Sequence, residues 1–221
     1  RGNYMSEALF VFHGIEKTFA EVEILRKVDL SLYPAKCILL TGKNGSGKTT
    51  LLKIIAGLEK PEKAEIEFSG KLRCWKKVMP IIRKEIIYLH QQAFLFSGTV
   101  ESNVAYGLRF TSLTREQRRE SLKKALEWSG LTDLAKQEAN TLSGGVQQRV
   151  AFTRAWILKP KVLLLDEPVS NMDQESREQA YLLMQRMKSA GMSIVITSHV
   201  PQYFDGLADV QFDLVNGKLL Q

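Results

Sequence analysis

The spacing of apolar residues along the chain predicts a mixed α/β fold. The segments LFVFHGI and LRKVDLSL, separated by a polar stretch, predict short antiparallel strands within residues 8–40, which lead into the buried strand CILL. Further along, KVLLLD (161–166) and MSIVIT (192–197) are continuous apolar runs, as in parallel strands covered by helices on both faces. The segments between these strands carry helical patterns, so the core is predicted to be α/β.

A polar helix is predicted in the middle of the chain. The segment TREQRRESLKKALEWSG begins with Thr114 and Gln117 at capping-box spacing, carries Leu122 and Leu126 on one face, and closes at Gly130. It lies in residues 92–141, a stretch with little strand character. We therefore predict that this stretch is a helical insertion.

No internal repeat or low-complexity linker divides the chain, so we predict a single domain over residues 5–221. Its core is expected at about 5–91 and 142–221, and its helical subdomain at about 92–141. Residues 1–4 precede Met5 and are excluded from this interpretation as a cloning remnant.

Composition limits the class of protein. A chain of 221 residues with 44% hydrophobic content can form a substantial core. We expect neither a membrane span, which needs about 18 apolar residues, nor a signal peptide, and hence a cytosolic protein. Cys37 and Cys74 match no metal or disulfide framework and are expected to be reduced thiols.

The chain carries a formal net charge of +7, with basic clusters at residues 71–77, 83–84 and 115–124. These clusters could face nucleic acid, anionic lipid or a phosphorylated ligand, or they could form a solvated face, which we favour slightly. The absence of zinc-finger spacing and of an aromatic RNA-binding motif in the sequence means that no direct nucleic-acid contact is expected.

The segment GKNGSGKTT matches the phosphate-binding pattern GxxxxGK[ST] through Gly42, Gly47, Lys48 and Thr49. It follows the strand CILLT and precedes an apolar helix, as a P-loop should. Backbone N–H groups and the helix N-terminus would surround phosphate, Lys48 would reach the β and γ phosphates, and Thr49 would ligate Mg²⁺. A glycine-rich turn without function is the alternative.

Two carboxylates end the strand KVLLLD. Asp166 is suited to hold Mg²⁺ through water, and Glu167 can accept a proton from the attacking water. Alone, this Asp-Glu-Pro sequence would be read as a strand-ending turn, but beside a P-loop the catalytic interpretation is preferred.

The segment TLSGGVQQRVAFTRAWILKPKVLLLDEP (141–168) resembles the signature-to-Walker-B region of ATP-binding cassette (ABC) ATPases. The other motifs follow the order of that family: Phe19 in KTF, the P-loop, Gln91 in YLHQQ, LSGGV, LLLDEP, SNMD, and His199 in ITSH. The resemblance covers nearly the whole chain. It implies a P-loop NTPase core with a parallel sheet, an N-terminal antiparallel β subdomain and an inserted helical subdomain.

The resemblance implies ATP and Mg²⁺ as ligands and assigns residues to each. The residues expected at ATP are Phe19, Gly42, Asn44, Gly45, Ser46, Gly47, Lys48, Thr49, Thr50, Ser143, Gly144, Gly145 and Asp173. The metal is expected at Thr49, Gln91 and Asp166, and catalysis at Glu167, His199, Gln91 and Lys48.

Several of these roles have simpler alternatives. Phe19 would stack on adenine, in place of the commoner Tyr. Gln91 would contact metal and water and sense a membrane partner, or it is a surface glutamine in a turn. His199 would position the attacking water, or it is an ordinary polar residue at a strand end. Asp173 would link two sites across a dimer, or it caps a helix, and both can hold.

In LSGG, Ser143 can cap a helix whose free N–H groups form an anion site with those of Gly144 and Gly145. The family implies that this site closes on the nucleotide of a second copy, giving a head-to-tail homodimer around two ATP molecules. Val146 departs from the usual Gln at the fifth signature position, which puts a ribose contact there in doubt.

The resemblance implies an ATPase subunit that energises solute movement through separate transmembrane permease subunits. The chain ends soon after His199, which favours a bacterial importer, with a solute-binding protein in the complex and a peripheral location on the inner face of the cell membrane. Within importers it resembles the tungstate or related oxyanion group. An apolar patch resembles the docking groove for a permease helix, with core packing as the alternative: Phe94, Leu95, Phe96, Val100, Val104, Tyr106 and Leu108.

The sequence supports two other functions less well. A cassette ATPase acting on nucleic acid or ribosomes would use the positive charge, but such relatives usually carry long insertions or tandem cassettes. A non-hydrolysing nucleotide-binding scaffold would require loss of Glu167 or Lys48, and both are present.

Overall fold

A computed structural model of the chain describes residues 7–170 and 172–221. Residues 1–4, the predicted domain start at Met5, and Asn171 of the SNMD motif lie outside the described residues. Within the described ranges, none of the helices is both long and apolar enough to cross a membrane.

The order of elements is that of a mixed α/β chain, as predicted. The strands are β1 (Phe10–Phe19), β2 (Val22–Leu32), β3 (Cys37–Thr41), β4 (Lys63–Phe68), β5 (Lys71–Cys74), β6 (Ile86–Leu89), β7 (Val162–Asp166), β8 (Ser193–Thr197), β9 (Val210–Val215) and β10 (Lys218–Leu220). The α-helices are α1 (Lys48–Ile55), α2 (Trp75–Glu85), α3 (Val100–Ala105), α4 (Arg115–Ser129), α5 (Gly144–Trp156) and α6 (Gln174–Ser189).

The N-terminal strands form an antiparallel sheet in the order β2-β1-β4-β5, which confirms the predicted strand direction. The two first strands are longer than predicted, with 10 residues in β1 and 11 in β2. The polar stretch expected between them is itself paired, and only Ala20 and Glu21 form the turn, with φ of 44° and 69°. Polar residues extend the hairpin because one of its faces can point to water.

The second sheet has the order β10-β9-β3-β8-β7-β6. In this sheet β3 runs parallel to both β9 and β8, and β8 runs parallel to β7. Every residue of β7 and β8 is buried, and so are the first four residues of β3. The continuous apolar runs therefore form buried parallel strands, as the sequence predicted.

The described residues separate into two compact units, of which the first comprises residues 7–88, 161–167 and 188–221. It contains both sheets. Helix α1 belongs to its core through Leu51, Leu52, Ile54 and Ile55, all of which are fully buried. Burial of each such side chain stabilises the fold by about 1.5–3 kcal/mol, so this helix holds the loop before it firmly.

The second unit comprises residues 89–160, 168–170 and 172–187 and has its own apolar cluster. Helix α4 begins with the predicted capping box, in which Gln117 N donates to Thr114 Oγ1 and Thr114 N donates to Gln117 Oε1. It is followed by Gly130 with φ of 66°, also as predicted. The predicted helical subdomain at 92–141 lies within this unit, and the domain boundaries themselves stay a prediction.

Candidate nucleotide site

Three adjacent parallel strands of the first unit bring the candidate catalytic residues to one sheet edge. Leu40 of β3 is in register with Thr197 of β8, and Thr197 is in register with Asp166 of β7. Their carboxyl ends therefore meet at one edge, where ligands collect in open α/β sheets.

The loop after β3 has a backbone shape that requires glycine at two of the predicted positions. Gly42 has φ of 137°, and a Cβ there would lie 2.7 Å from Leu214 O. Gly47 has φ of 104°, and its Cβ would lie 2.7 Å from Ile24 Cγ2. An L side chain at either position would be strained and crowded. The loop can therefore bring its backbone N–H groups close to a ligand.

Lys48 is buried at the start of α1, and its ammonium crosses the loop. Its Nζ donates to Gly42 O at 2.7 Å and to Lys43 O at 3.1 Å. Burial lowers the pKa of Lys48, while the charges of Glu167, Asp166 and Asp213 oppose that shift. The charged ammonium is thus held by carbonyl oxygens and by the carboxylates of the same sheet edge.

One atom of the loop fits an anion directly. Ser46 Oγ is buried and has no hydrogen-bond partner among the described residues. The first N–H groups of α1 also lack acceptors within their helix. A buried hydroxyl and several N–H donors around one loop are suited to phosphate oxygens. Asn44 and Gly45 complete this loop and are exposed, and Thr49 and Thr50 follow in the first turn of α1.

Asp166 is the most heavily hydrogen-bonded group of the site. Its Oδ2 accepts from Thr49 Oγ1 at 2.8 Å and from Tyr88 OH at 2.9 Å, and its Oδ1 accepts from Thr197 Oγ1 at 2.7 Å. Burial and Asp166 raise the pKa of Tyr88, so its hydroxyl remains a donor. Sequence reasoning missed Tyr88 and Thr197, although both stand beside predicted motifs, in YLHQQ and ITSH.

Glu167 follows in a strained conformation, with φ of 49°. Its N–H donates to Thr197 Oγ1 at 3.0 Å, and His199 Nε2 lies 3.0 Å from its Oε1. Burial raises the pKa of Glu167, while His199 and Lys48 oppose the shift. A carboxylate with a raised pKa accepts a proton more readily than an exposed one.

Phe19 lies at the end of β1, where the two-residue turn leaves its side chain 45% exposed. The ammonium of Lys17 lies 4.6 Å from the centre of its ring, and Lys17 also pairs with Glu59 at 2.8 Å. The aromatic face is thus presented on an exposed hairpin, in the first unit with the phosphate loop.

The remaining candidates lie in the second unit. Gln91 Nε2 donates to Ser170 Oγ at 3.2 Å. Asp173 caps α6, because Ser176 N donates to its Oδ1 at 2.7 Å. The interpretation of Asp173 as a helix cap is therefore confirmed, and its role between two sites stays a prediction.

The signature residues begin α5. Ser143 occupies the N-cap position, but within the described ranges its side chain makes no capping hydrogen bond. Ser143 and Gly144 are exposed, and a Cβ on Gly144 would meet nothing within 4 Å. A Cβ on Gly145 would instead collide with the side chain of Ser176. Packing within the chain therefore requires glycine at position 145 but not at position 144.

Val146, the departure from the family pattern, has a structural explanation. Its side chain is partly buried against the apolar cluster of the second unit, which includes Val150 and Leu126. An apolar residue there extends the cluster, where a glutamine side chain would expose its amide to apolar neighbours.

Together, the fold and the site define a P-loop nucleotide-binding protein: a phosphate loop between a buried parallel strand and a helix, with an aspartate that ends another parallel strand of the same sheet. Comparison with known protein families is more specific. A family model described as "ABC transporter" matches residues 25–170. The chain therefore belongs to the ABC transporter family.

Its relatives include import proteins. The chain is 33% identical over 216 residues to the Fe(3+) ions import ATP-binding protein FbpC of Pasteurella multocida, an alignment that covers 96% of this chain and 60% of the relative. It is 32% identical to the spermidine/putrescine import ATP-binding protein PotA of Bacteroides fragilis, over 98% of this chain and 47% of the relative. The chain thus spans between 47% and 60% of the length of these relatives.

Solved structures agree on the fold. The structure of cbiO1 from Clostridium perfringens, part of the ABC transporter complex cbiONQ, matches with a TM-score of 0.86 and 25% identity, covering 98% of this chain and 88% of that one. A nucleotide-free ATP-binding cassette from an ABC transporter matches with a TM-score of 0.82 and 23% identity, over 97% and 90%. These relatives do not favour the alternative of an ATPase acting on nucleic acid or ribosomes.

Proposed function

We propose that this chain is the ATP-binding and ATP-hydrolysing subunit of an importer, and that two copies close around two ATP molecules. The observation that carries the proposal is the contrast between two anion-directed features of one chain. The first is a phosphate loop with buried carboxylates at its side, and the second is the exposed N-terminus of α5, where the chain leaves Gly144 uncovered.

The residues of the first unit bind the nucleotide. Backbone N–H groups of the loop, the orphaned hydroxyl of Ser46 and the ammonium of Lys48 bind phosphate oxygens. The exposed ring of Phe19 stacks on the adenine. The burial of Lys48 strengthens its attraction to phosphate, because fewer water molecules screen its charge.

Mg²⁺ fits the oxygen donors beside this loop. The Thr49 hydroxyl and the Asp166 carboxylate are 2.8 Å apart and are the kinds of ligand that Mg²⁺ accepts, together with substrate phosphate and water. Thr49 would hold the ion directly, Asp166 through water, and Gln91 would add a contact. When bound, the ion neutralises charge on the phosphates.

Glu167 acts as the general base in this proposal. Its carboxylate takes the proton of the water that attacks the γ-phosphorus, and the leaving group is ADP. The backbone hydrogen bond to Thr197 fixes the strained residue, and His199 at 3.0 Å orients the carboxylate. His199 also donates toward the γ-phosphate and positions the water.

The second copy completes each site through its signature residues. Neither the conformation nor the surroundings of Gly144 require glycine within the chain, because a Cβ there would be in open space. Close approach of a ligand from outside is a reason for glycine at this position. Ser143, with its hydroxyl free of a capping bond among the described residues, can donate to the same ligand. Asp173 links the two sites in addition to capping α6.

Permease subunits dock on the second unit in this proposal. Four of the patch residues named from the sequence are core residues, namely Leu95, Val100, Val104 and Leu108. An aromatic surface remains: Phe96 stacks on Tyr106 at 4.2 Å between ring centres, and Phe94 is 69% exposed. Arg154 donates to Phe94 O at 2.7 Å and lies over the Phe96 ring, which fixes the surface. A rigid aromatic surface is suited to a short partner helix.

Import is the direction that the names of the relatives support, and a solute-binding protein would complete the complex on the far side of the membrane. The chain itself would be peripheral on the cytoplasmic face. The oxyanion, such as tungstate, stays a prediction from sequence resemblance, since the named relatives import Fe(3+) ions and spermidine/putrescine.

The experiment is gel filtration of Glu167→Gln with MgATP. This variant should bind ATP, fail to hydrolyse it and elute as a dimer, because the closed state is no longer released. The double variant Glu167→Gln with Ser143→Arg is the control, which should bind ATP and remain monomeric. A Glu167→Gln protein that binds MgATP and stays monomeric would contradict the two-copy site.

A further inference from the structure

A cavity of about 740 Å³ lies on the second unit, between the turn that follows α3 and the first turns of α4. Its apolar lining is Ala105, Leu108 and Leu122, and the rest of the lining is charged. None of these residues belongs to the nucleotide site or the aromatic surface described above.

The charged residues of this cavity are four arginines and one glutamate, a net charge of +3. They are Arg109, Arg115, Arg118, Arg119 and Glu116. Among the described residues, no carboxylate forms an ion pair with any of these arginines. By contrast, Lys123 and Lys124 of the same helix pair with Glu127 at 3.8 Å and Glu120 at 2.6 Å.

Arg118 shows that this is more than a solvated helix face. Its Nη2 donates to Thr111 O at 3.0 Å, which holds the guanidinium in one orientation. Its Nε is buried and has no hydrogen-bond partner in the described part of the chain. A buried N–H without an acceptor is costly, and a ligand oxygen would remove that cost.

We propose that this cavity, termed here the arginine pocket, binds a multiply charged phosphate group. Arginine binds phosphate through paired N–H groups. Four guanidiniums without carboxylate partners repel one another, and a bound anion would offset this repulsion. Ala105 and Leu122 are only partly buried and can contact an apolar part of the same ligand. A phospholipid head group and a free polyphosphate share this chemistry.

The test uses two probes and two charge-matched variants of the full chain. The first variant, Arg115→Gln with Arg119→Gln, removes two exposed charges from the pocket. The second, Lys123→Gln with Lys124→Gln, removes two charges from the same helix outside it. Both are made in a Lys48→Ala background, so that the phosphate loop contributes little to binding. The probes are inorganic pyrophosphate, and vesicles of phosphatidylglycerol with phosphatidylcholine compared with phosphatidylcholine alone.

Binding of the probe is expected to weaken about tenfold in the arginine variant and to be retained in the lysine variant. It should also weaken as salt is added. Loss confined to anionic vesicles identifies a lipid head group, and loss of pyrophosphate binding identifies a soluble phosphate. The proposal is overturned if neither probe binds, or if the two variants lose binding equally. ATP hydrolysis by the arginine variant with Lys48 intact should equal that of the unaltered chain, which separates this proposal from the proposed ATPase function.

Discussion

The phosphate loop and the start of the signature helix are both proposed to bind anions, but their structures differ. In the first unit, Asp166 accepts three hydroxyl hydrogen bonds, and Glu167 is paired with His199. In the second unit, Ser143 and Gly144 are exposed, and a Cβ on Gly144 would meet nothing. The first region is held in shape by its own chain, whereas the second has its surface uncovered.

This difference predicts where substitutions will act. A change in the phosphate-loop region should alter ligand binding or stability of the isolated chain, because its side chains hold one another. A change at the uncovered part of the signature should leave the isolated chain intact and act only when the ATP-bound assembly forms.

The largest effect is expected for Lys48→Ala. Loss of the buried ammonium should weaken ATP binding by about 100-fold, the equivalent of two charge-assisted hydrogen bonds. Titration calorimetry measures this change directly. Lys53→Ala is the matched control, because it removes the same charge from the same helix. Equal affinities of the two variants would show that Lys48 does not bind the nucleotide.

The two signature glycines provide the sharpest test of the comparison. Gly145→Ala places a Cβ against the side chain of Ser176 and should lower the free energy of unfolding by about 1–3 kcal/mol. Gly144→Ala should leave the free energy of unfolding unchanged and lower ATP turnover about tenfold, because in the proposed dimer the methyl group would face the nucleotide of the second copy. Denaturant unfolding and steady-state ATPase assays separate the two. Normal turnover by Gly144→Ala would remove the signature from the site.

The sequence predicted the features that are local. The apolar runs of β7 and β8, the capping box of α4 and the glycine-rich loop each depend on neighbouring residues, and the structure has all three. The predicted hairpin was too short, because the polar residues between its apolar segments do not themselves indicate that they pair with the opposite strand.

The parts that sequence reasoning missed are contacts between distant segments. Tyr88, Asp166 and Thr197 are on three different strands, and only the register of the sheet brings their hydroxyl and carboxyl groups together. The packing of Val146 on an apolar cluster and the uncapped hydroxyl of Ser143 likewise depend on tertiary structure.

The pH dependence of turnover tests the electrostatics of the first region. Burial raises the pKa of Glu167, so turnover should fall as pH decreases through that raised pKa and the base becomes protonated. His199 opposes the shift, so His199→Ala should move this acidic limb to higher pH. The pH profile of kcat/KM measures the shift. A limb that moves to lower pH in His199→Ala would contradict the assigned pair.

The smallest effect is expected for Tyr88→Phe. This substitution removes one of three hydrogen bonds to Asp166 and leaves those from Thr49 and Thr197. The free energy of unfolding should fall by about 1 kcal/mol, and the Mg²⁺ concentration for half-maximal ATPase activity should change about twofold, because the carboxylate keeps its place. Tyr33→Phe is the matched control, since within the described ranges the Tyr33 hydroxyl makes no hydrogen bond. A tenfold loss of turnover in Tyr88→Phe would contradict this expectation. It would mean that Asp166 keeps its position only when all three hydroxyl groups donate to it.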